Sequence, residues 1–276
     1  MKIFWIIFIS ASAFLLLSFL AFLFLIKPGK RRAQTDKFKN LDYAHRGLHG
    51  GGRAENSLSA FKAAADAGFA IELDVRLSSD GVLMVFHDDT LDRMTEVTGR
   101  VDSVTAKELS ALTLGGTEDT IPTFAEVLEL VGGRVPILVE IKEDAGKYCV
   151  TEKTVEALKA YKGEFLIESF NPLALARVKK LMPDAVRGIL SESFLKEKKY
   201  RSPTYFLLQN LLLNFLCKPD FVAFNHEHSK NCALRLVRRI FRVPTLAWTV
   251  RSEREERLAK SHGFDGIIFE NYNPRR

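Results

Sequence analysis

From residue 41 onward the chain alternates eight short, β-branched apolar runs with stretches of helical periodicity. The strands predicted from that alternation fall at 41–44, 70–75, 135–141, 164–169, 186–190, 221–224, 243–248 and 266–269. Helical patterns fill 57–67, 123–131, 147–161, 172–182, 203–216, 230–241 and 252–262. Several carry start signals, such as Thr123 with Glu126 three positions on, and Pro172 behind Asn171. Successive strands separated by helices pair in parallel, and eight such units predict a closed (β/α)8 (TIM) barrel. An open doubly wound sheet is the alternative, but the sequence has no glycine-rich βα turn of the dinucleotide-binding type.

Ahead of the barrel, residues 3–26 are almost unbroken apolar sequence without a charge. At 1.5 Å per residue such a run crosses a hydrocarbon layer of about 30 Å with some tilt. A cleaved signal peptide is the rival reading. Its apolar core is usually shorter and ends at a small-x-small site, whereas Ala11-Ser12-Ala13 lies mid-run. The expected organisation is a transmembrane anchor with a basic juxtamembrane segment over 1–40 and a single catalytic barrel domain over 41–276. Lys27, Lys30, Arg31, Arg32, Lys37 and Lys39 crowd behind the apolar run, which by the positive-inside rule makes this a single-pass cell-membrane protein with its barrel in the cytoplasm. Much of the formal charge of +6 belongs to that flank, so nucleic-acid binding is not expected. Cys149, Cys217 and Cys232 are odd in number and lack a CxxC pair, and read as reduced core residues.

In a barrel of this kind the chemistry gathers at the carboxyl ends of the strands. Glu72 and Asp74 leave one face of the second strand, since side chains alternate with period two, and Glu140 ends the third. Three oxygen donors on neighbouring strands suit a hard divalent cation, Mg²⁺ or Ca²⁺, better than zinc. Solvated strand ends joined in salt bridges are the plainer alternative. The turn at Ser79-Asp80-Gly81 sends the chain back through a second apolar run to His87. The whole excursion to about residue 121 is the longest insertion between barrel strands, and is predicted to form a small cap. His45 and His87 flank the carboxylates and are the candidate acid and base near neutral pH. Arg46 and Lys142 are suited to a phosphate, with a salt bridge from Arg46 to Glu55 as the competing role, and Trp248 to an apolar wall. Asp88, Asp89, Asp92 and Arg93 read as turn and cap residues orienting His87. The remaining histidines, His49, His226, His228 and His262, are expected on the surface or in packing.

Taken in order, HRG at 45–47, EN at 55–56, ELDV at 72–75, DG at 80–81, HD at 87–88, LDR at 91–93, EIK at 140–142, SFN at 169–171, Trp248 and GFDGII at 263–268 resemble the glycerophosphodiester phosphodiesterases. The resemblance implies a metal-dependent phosphoric diester hydrolase that releases an alcohol and glycerol 3-phosphate from glycerophosphodiesters. It implies Glu72, Asp74 and Glu140 as ligands of the divalent cation, His45 and His87 as base and acid, and Arg46 and Lys142 on the phosphate. Two places depart from the family pattern. Relatives often carry Thr-Asp and a proline where this chain reads Phe269-Glu270-Asn271-Tyr272, and residues 203–216 are unusually apolar. That segment is either an ordinary barrel-covering helix or a lip that meets the bilayer and admits lysophospholipids, which would make the enzyme a lysophospholipase D. A catalytically silent membrane-anchored scaffold is the alternative outside enzymology.

Overall fold

Side-chain alternation along the strands explains the barrel and its site together. The computed structural model describes residues 1–29, 32–144, 147–196 and 202–274. Lys30 and Arg31 of the basic flank lie outside them. Strands β1 (Asp42–Ala44), β2 (Ala70–Leu77), β4 (Ile137–Ile141), β5 (Phe165–Ser169), β6 (Arg187–Ser191), β7 (Phe221–Asn225), β8 (Thr245–Val250) and β9 (Gly266–Phe269) pair in parallel in that order, and β9 returns to β1, closing the barrel. β3 (Leu83–Val85) runs antiparallel to β2 and carries the chain into the inserted cap, as the turn at Asp80-Gly81 predicts.

Along β4, Ile137, Val139 and Ile141 face outward into the main core, whereas Leu138 joins the core inside the barrel and Glu140 follows it on the same side. β2 does likewise: Ile71, Leu73 and Val75 pack outward, and Ala70, Glu72 and Asp74 form the inward row. The inner rows thus begin apolar at the amino ends and turn acidic at the carboxyl ends. Tyr43, Leu166, Phe221 and Leu246 fill the apolar end, with Phe38 packed against them.

The outer layer comprises α3 (Leu58–Asp66), α5 (Phe124–Val131), α6 (Cys149–Ala160), α7 (Pro172–Leu181), α8 (Pro203–Gln209), α9 (Asn214–Cys217), α10 (Cys232–Leu236) and α11 (Glu253–Ser261), while α4 (Ala106–Leu109) belongs to the cap. The predicted capping box of α5 forms, Thr123 accepting from the Glu126 N–H and Glu126 from the Thr123 N–H. Asn171 caps α7, whose first residue is Pro172. Two predicted helices are interrupted. The stretch 203–216 is not continuous: the Leu208 and Gln209 carbonyls accept from Ser191 Oγ and Asn231 Nδ2, and Leu211 takes a left-handed backbone (φ 56°) that turns its side chain into the core. Side-chain donors from other elements have replaced the next helical turn. The stretch 230–241 starts at Asn231, which caps α10, and then widens into a π-helical segment over Val237–Phe241.

The cap has its own apolar centre, with Met84, Phe86, Leu91, Leu109, Leu114 and Ile121 among its buried members. The cysteines are free, but only Cys217 is buried. Cys149 and Cys232 are exposed, so the expectation that all three are core residues fails. Both sit at the first turn of a helix, where one face is wet.

The amino-terminal helix α1 (Lys2–Leu25) is long and apolar enough to cross a membrane. A short helix, α2 (Arg32–Asp36), separates it from β1. The foot of α1 is built into the barrel wall. Ile26 is fully buried in the main core, its carbonyl accepts from Asn214 Nδ2 (3.2 Å), and the Gly29 N–H donates to the Pro219 carbonyl (2.8 Å).

Candidate active site

The turn after β1 explains the His45-Arg46-Gly47 sequence. Arg46 (φ 54°) and Gly47 (φ 81°) both adopt left-handed backbone, and a Cβ on Gly47 would lie 2.9 Å from Ala60. This tight turn aims the Arg46 N–H at Glu72 Oε2 (2.9 Å). Asn56 is likewise left-handed, donates through Nδ2 to Asp74 Oδ2 (2.9 Å), and closes the loop by giving its backbone N–H to the Arg46 carbonyl. Buried polar groups of β2 are thereby oriented by the loop that precedes α3.

Glu72, Asp74 and Glu140 are all buried, and each offers an oxygen within 4.8 Å of the others'. The β2–β4 register pairs Asp74 with Glu140, which brings the carboxylates together across 66 residues of chain. Lys142 lies 2.6 Å from Glu140 and 3.0 Å from Asp74. Burial would raise Asp74, but Lys142, His87 and Arg46 outweigh it and hold that carboxyl well below its usual range. Glu72 moves the other way, pushed well above the carboxylate range by burial and then by Asp74 and Glu140. Burial also raises Glu140 to about 7, with Asp74 adding and Lys142 opposing. Burial opposes the Lys142 ammonium, yet Asp74 and Glu140 overcome it and raise its pKa.

The three carboxylates fit a divalent cation. Oxygens sharing an ion at about 2.0–2.6 Å can stand no more than about 5 Å apart, and these three meet that limit. Their crowding has the expected electrostatic mark, because two of the three resist ionising without more positive charge nearby.

Two histidines line one cavity with Glu72 and Glu140, each with its Nδ1 on a carboxylate. His45 Nδ1 lies 2.5 Å from Glu270 Oε2, and His87 Nδ1 lies 2.6 Å from Asp88 Oδ1. Among the described residues, Nε2 of each ring has no hydrogen-bond partner. Burial lowers both pKa values, that of His87 to about 4, and Lys142 and Arg46 add to the effect on His87 against Asp74 and Asp88. Arg93 grips Asp88 (2.6 Å) and Glu55 (2.6 Å), and Glu55 in turn holds Arg46 (2.7 Å). An ion-pair chain therefore links the cap histidine to the barrel rim.

A cavity of about 200 Å³ is lined by His45, Arg46, Glu72, His87, Glu140 and Trp248, among others. Every site residue predicted from the sequence is thus here or, like Lys142, ion-paired to a residue that is. Arg46 and Lys142, assigned to a phosphate, are paired with carboxylates, so the salt bridge weighed for Arg46 exists. Trp248 meets Phe170 edge-on and buries an indole N–H that has no partner among the described residues, a donor left for a ligand.

Two acidic residues escaped the sequence reading. Glu168, one strand over from Glu140 and in register with it, is a third buried carboxyl lining the cavity beside Glu72 and Glu140, raised well above its usual range by burial, Glu72 and Glu140. The same apolar-then-Glu pattern in ILVEI and FLIES marks both. Glu270 follows β9 and holds His45, with Arg251 at 2.7 Å and His49 at 3.8 Å. His49 is consequently beside the site, not in remote packing, because the Gly-rich loop folds back toward Glu270. His226 and His228 do serve packing, the first against the Thr249 carbonyl and the second accepting the Ser193 N–H.

Comparison with known proteins agrees. The profile of the glycerophosphoryl diester phosphodiesterase family matches residues 45–273. A glycerophosphodiester phosphodiesterase of Caldanaerobacter subterraneus subsp. tengcongensis is 36% identical over 242 residues, 83% of this chain and 93% of the relative. Among solved structures, an Oleispira antarctica phosphodiesterase in complex with its product sn-glycerol-3-phosphate superposes with a TM-score of 0.69 at 25% identity, covering 85% of this chain and 94% of that one. A glycerophosphodiester phosphodiesterase from Thermotoga maritima gives 0.63 at 26% identity, over 83% and 94%. With the barrel, the acidic cluster and a profile match spanning nearly the whole of both, this chain belongs to the glycerophosphoryl diester phosphodiesterase family and is a phosphoric diester hydrolase.

Proposed function

We propose that the chain is a membrane-anchored, divalent-cation-dependent enzyme of glycerophospholipid metabolism that hydrolyses glycerophosphodiesters to an alcohol and glycerol 3-phosphate. The observation that carries the reading is a buried acidic triad, two members of which line one cavity with two carboxylate-supported histidines. Glu72, Asp74 and Glu140 would hold the cation, Mg²⁺ or Ca²⁺. When bound, it supplies positive charge against the phosphate and acidifies a nearby hydroxyl.

The protein's own groups divide the remaining work. Arg46 and Lys142 turn from their carboxylates toward the phosphodiester, and Trp248 walls the glycerol side. His45, held by Glu270, accepts the proton of the substrate's glycerol hydroxyl as that oxygen bonds to phosphorus. His87 delivers a proton to the departing alcohol as the other P–O bond breaks, leaving a cyclic phosphate. Water then opens the ring with the two proton transfers reversed, which restores both histidines. Burial and then Lys142 and Arg46 lower the His87 pKa, and an anionic phosphodiester beside the ring acts against that lowering, favouring the protonated form.

Residues 1–40 act as anchor and juxtamembrane segment, and 41–276 as the catalytic domain, held on the cytoplasmic face of the cell membrane. The decisive assay is a panel of glycerophosphodiesters incubated with purified protein, with and without Mg²⁺ or Ca²⁺, following alcohol and glycerol 3-phosphate together. Equimolar release of both supports the reading. Folded protein that binds the panel without turnover would mark a scaffold instead.

A further inference from the structure

A cavity of about 660 Å³ shares no residue with the active-site cavity. Lys39, Val243 and Asp265 in its wall precede β1, β8 and β9, so it lies toward the amino ends of those strands, whereas the acidic cluster sits at carboxyl ends. The wall is built largely of cations. Arg235, Arg238, Arg239 and Arg242 recur at the i, i+3, i+4, i+7 spacing that shares one helix face, and Lys39 and Lys230 join them from other segments. The opposite face of the same stretch is apolar, with Ala233, Leu234 and Val237 in the main core. Its π-helical widening over Val237–Phe241 falls within the basic stripe, and such widenings recur at functional sites.

These charges are short of counter-ions. Among the described residues, Lys230, Arg235 and Arg239 have no carboxylate partner. Asp265 is the one carboxylate among the lining residues, and its Oδ2 already accepts from the Thr245 N–H (2.8 Å) and Oγ1 (3.2 Å). Arg238 is half-buried, donates to the His262 carbonyl (2.5 Å) and stacks over Phe264 (5.2 Å to the ring centre), while Gly263, at φ 82°, has no Cβ to displace it. Burial lowers its pKa, Asp265 opposes and Arg239 adds to the lowering, so a negative partner would be welcome there. Ser229 Oγ, 3.0 Å from His262 Nδ1, brings a hydroxyl to the same wall. A stripe serving solubility alone would leave its guanidiniums loose in water, whereas this one holds Arg238 fixed by a carbonyl and a ring.

We propose that this cavity is a second binding site, for a phosphate-bearing anion. Guanidinium forks take phosphate oxygens two at a time, and several cations converging on one cavity suit a group that carries its charge on more than one oxygen. Such an anion comes either as the headgroup of an acidic lipid or free in solution. The fold favours the lipid, because the segment leading from α1 to β1 supplies Lys39, and the membrane-length helix and this cavity thus share one stretch of chain. The site stands independently of the catalytic reading above.

The test uses the full chain with chelator present, and follows phenylglyoxal modification of individual arginines by peptide mass spectrometry. One arm holds the protein in neutral detergent and adds inorganic phosphate. The other compares nanodiscs of phosphatidylcholine alone with nanodiscs that also contain phosphatidylglycerol. Arg254, exposed on α11 and outside the cavity, is the internal reference. Occupancy should slow modification of Arg238 and Arg239 by about tenfold once ligand stands near ten times its Kd, with Arg254 unmoved. Protection by phosphate supports the site with a free anion as its ligand, and protection by phosphatidylglycerol alone supports it with a lipid headgroup. Arg235→Gln and, separately, Lys39→Gln should weaken the protection of Arg239 while melting like the wild type. Absence of protection in both arms, equal slowing of Arg254, or protection undiminished in both variants would overturn the site.

Discussion

Nδ1 of His45 lies 2.5 Å from Oε2 of Glu270, across the seam where the first and last barrel strands pair. Barrel closure therefore sets the direction of a proposed catalytic ring. Glu270 stays ionised because His45 and Arg251, hydrogen-bonded to it, and His49 at 3.8 Å overcome the effect of burial and hold it far below the carboxylate range.

Glu270→Gln keeps the shape and a hydrogen-bonding oxygen but removes the charge. Burial lowers the His45 pKa and Glu270 opposes it, so loss of that charge lowers the pKa further. The limb of the kcat/KM–pH profile that reports His45 should shift to lower pH, and kcat should fall by about 10- to 100-fold, as for other residues that orient a reacting group. Stopped assays across pH check both, and an unmoved limb would detach Glu270 from His45 function.

His87→Ala should reduce turnover by about 10² to 10⁴, the usual worth of a general acid or base. The side chain is a third exposed and, among the described residues, hydrogen-bonded to the neighbouring Asp88 alone, so the melting temperature should hold. Wild-type turnover in a folded variant would remove His87 from the reaction.

Glu72→Gln separates metal binding from folding. Burial, Asp74 and Glu140 all disfavour the charged form of Glu72, so the amide should melt no lower than wild type. Saturating Mg²⁺ or Ca²⁺ should raise wild-type stability by about 2.7 kcal/mol at a hundredfold excess over Kd and leave the variant unmoved. Differential scanning calorimetry with each ion, and with chelator, reads this without any assay of activity.

The tie between cap and barrel should be sensitive to acid. Burial favours neutral Glu55, but Arg93 and Arg46 prevail and lower its pKa. A carboxyl whose folded pKa lies below its unfolded value of about 4.3 stabilises above that value and loses its contribution as pH falls through the folded pKa. Glu55→Gln should therefore cost about 1–3 kcal/mol at pH 7, and the gap from wild type should narrow steadily below about pH 4. Urea unfolding at several pH values measures it, and a constant gap would show that Glu55 acts through packing alone.

Much of this was readable from residue order. Period-two alternation put Glu72 and Asp74 on one face, and helix start signals at Thr123 and Asn171 were met. What escaped depended on distant partners. Glu270 gains its role only when β9 returns to β1, and Glu168 only when β5 comes into register with β4. The break after Gln209 is set by Ser191 and Asn231, donors that lie elsewhere in the chain, so helical periodicity across 203–216 could not reveal it. Exposure of Cys149 and Cys232 depended on which helical face turned to solvent.

The pairing of Asp74 with Glu140 is made by main-chain bonds between adjacent strands, whereas the cap between them folds around its own apolar centre. The spacing of those two carboxylates is set by the strands, while the cap adds His87, whose charge acts on Asp74. Variation in the insertion that spares His87 and the Asp88 and Arg93 that hold it can therefore reshape the mouth without moving the carboxylates beneath it. In such a layout new substrate preferences arise by exchanging the rest of a module around one retained histidine.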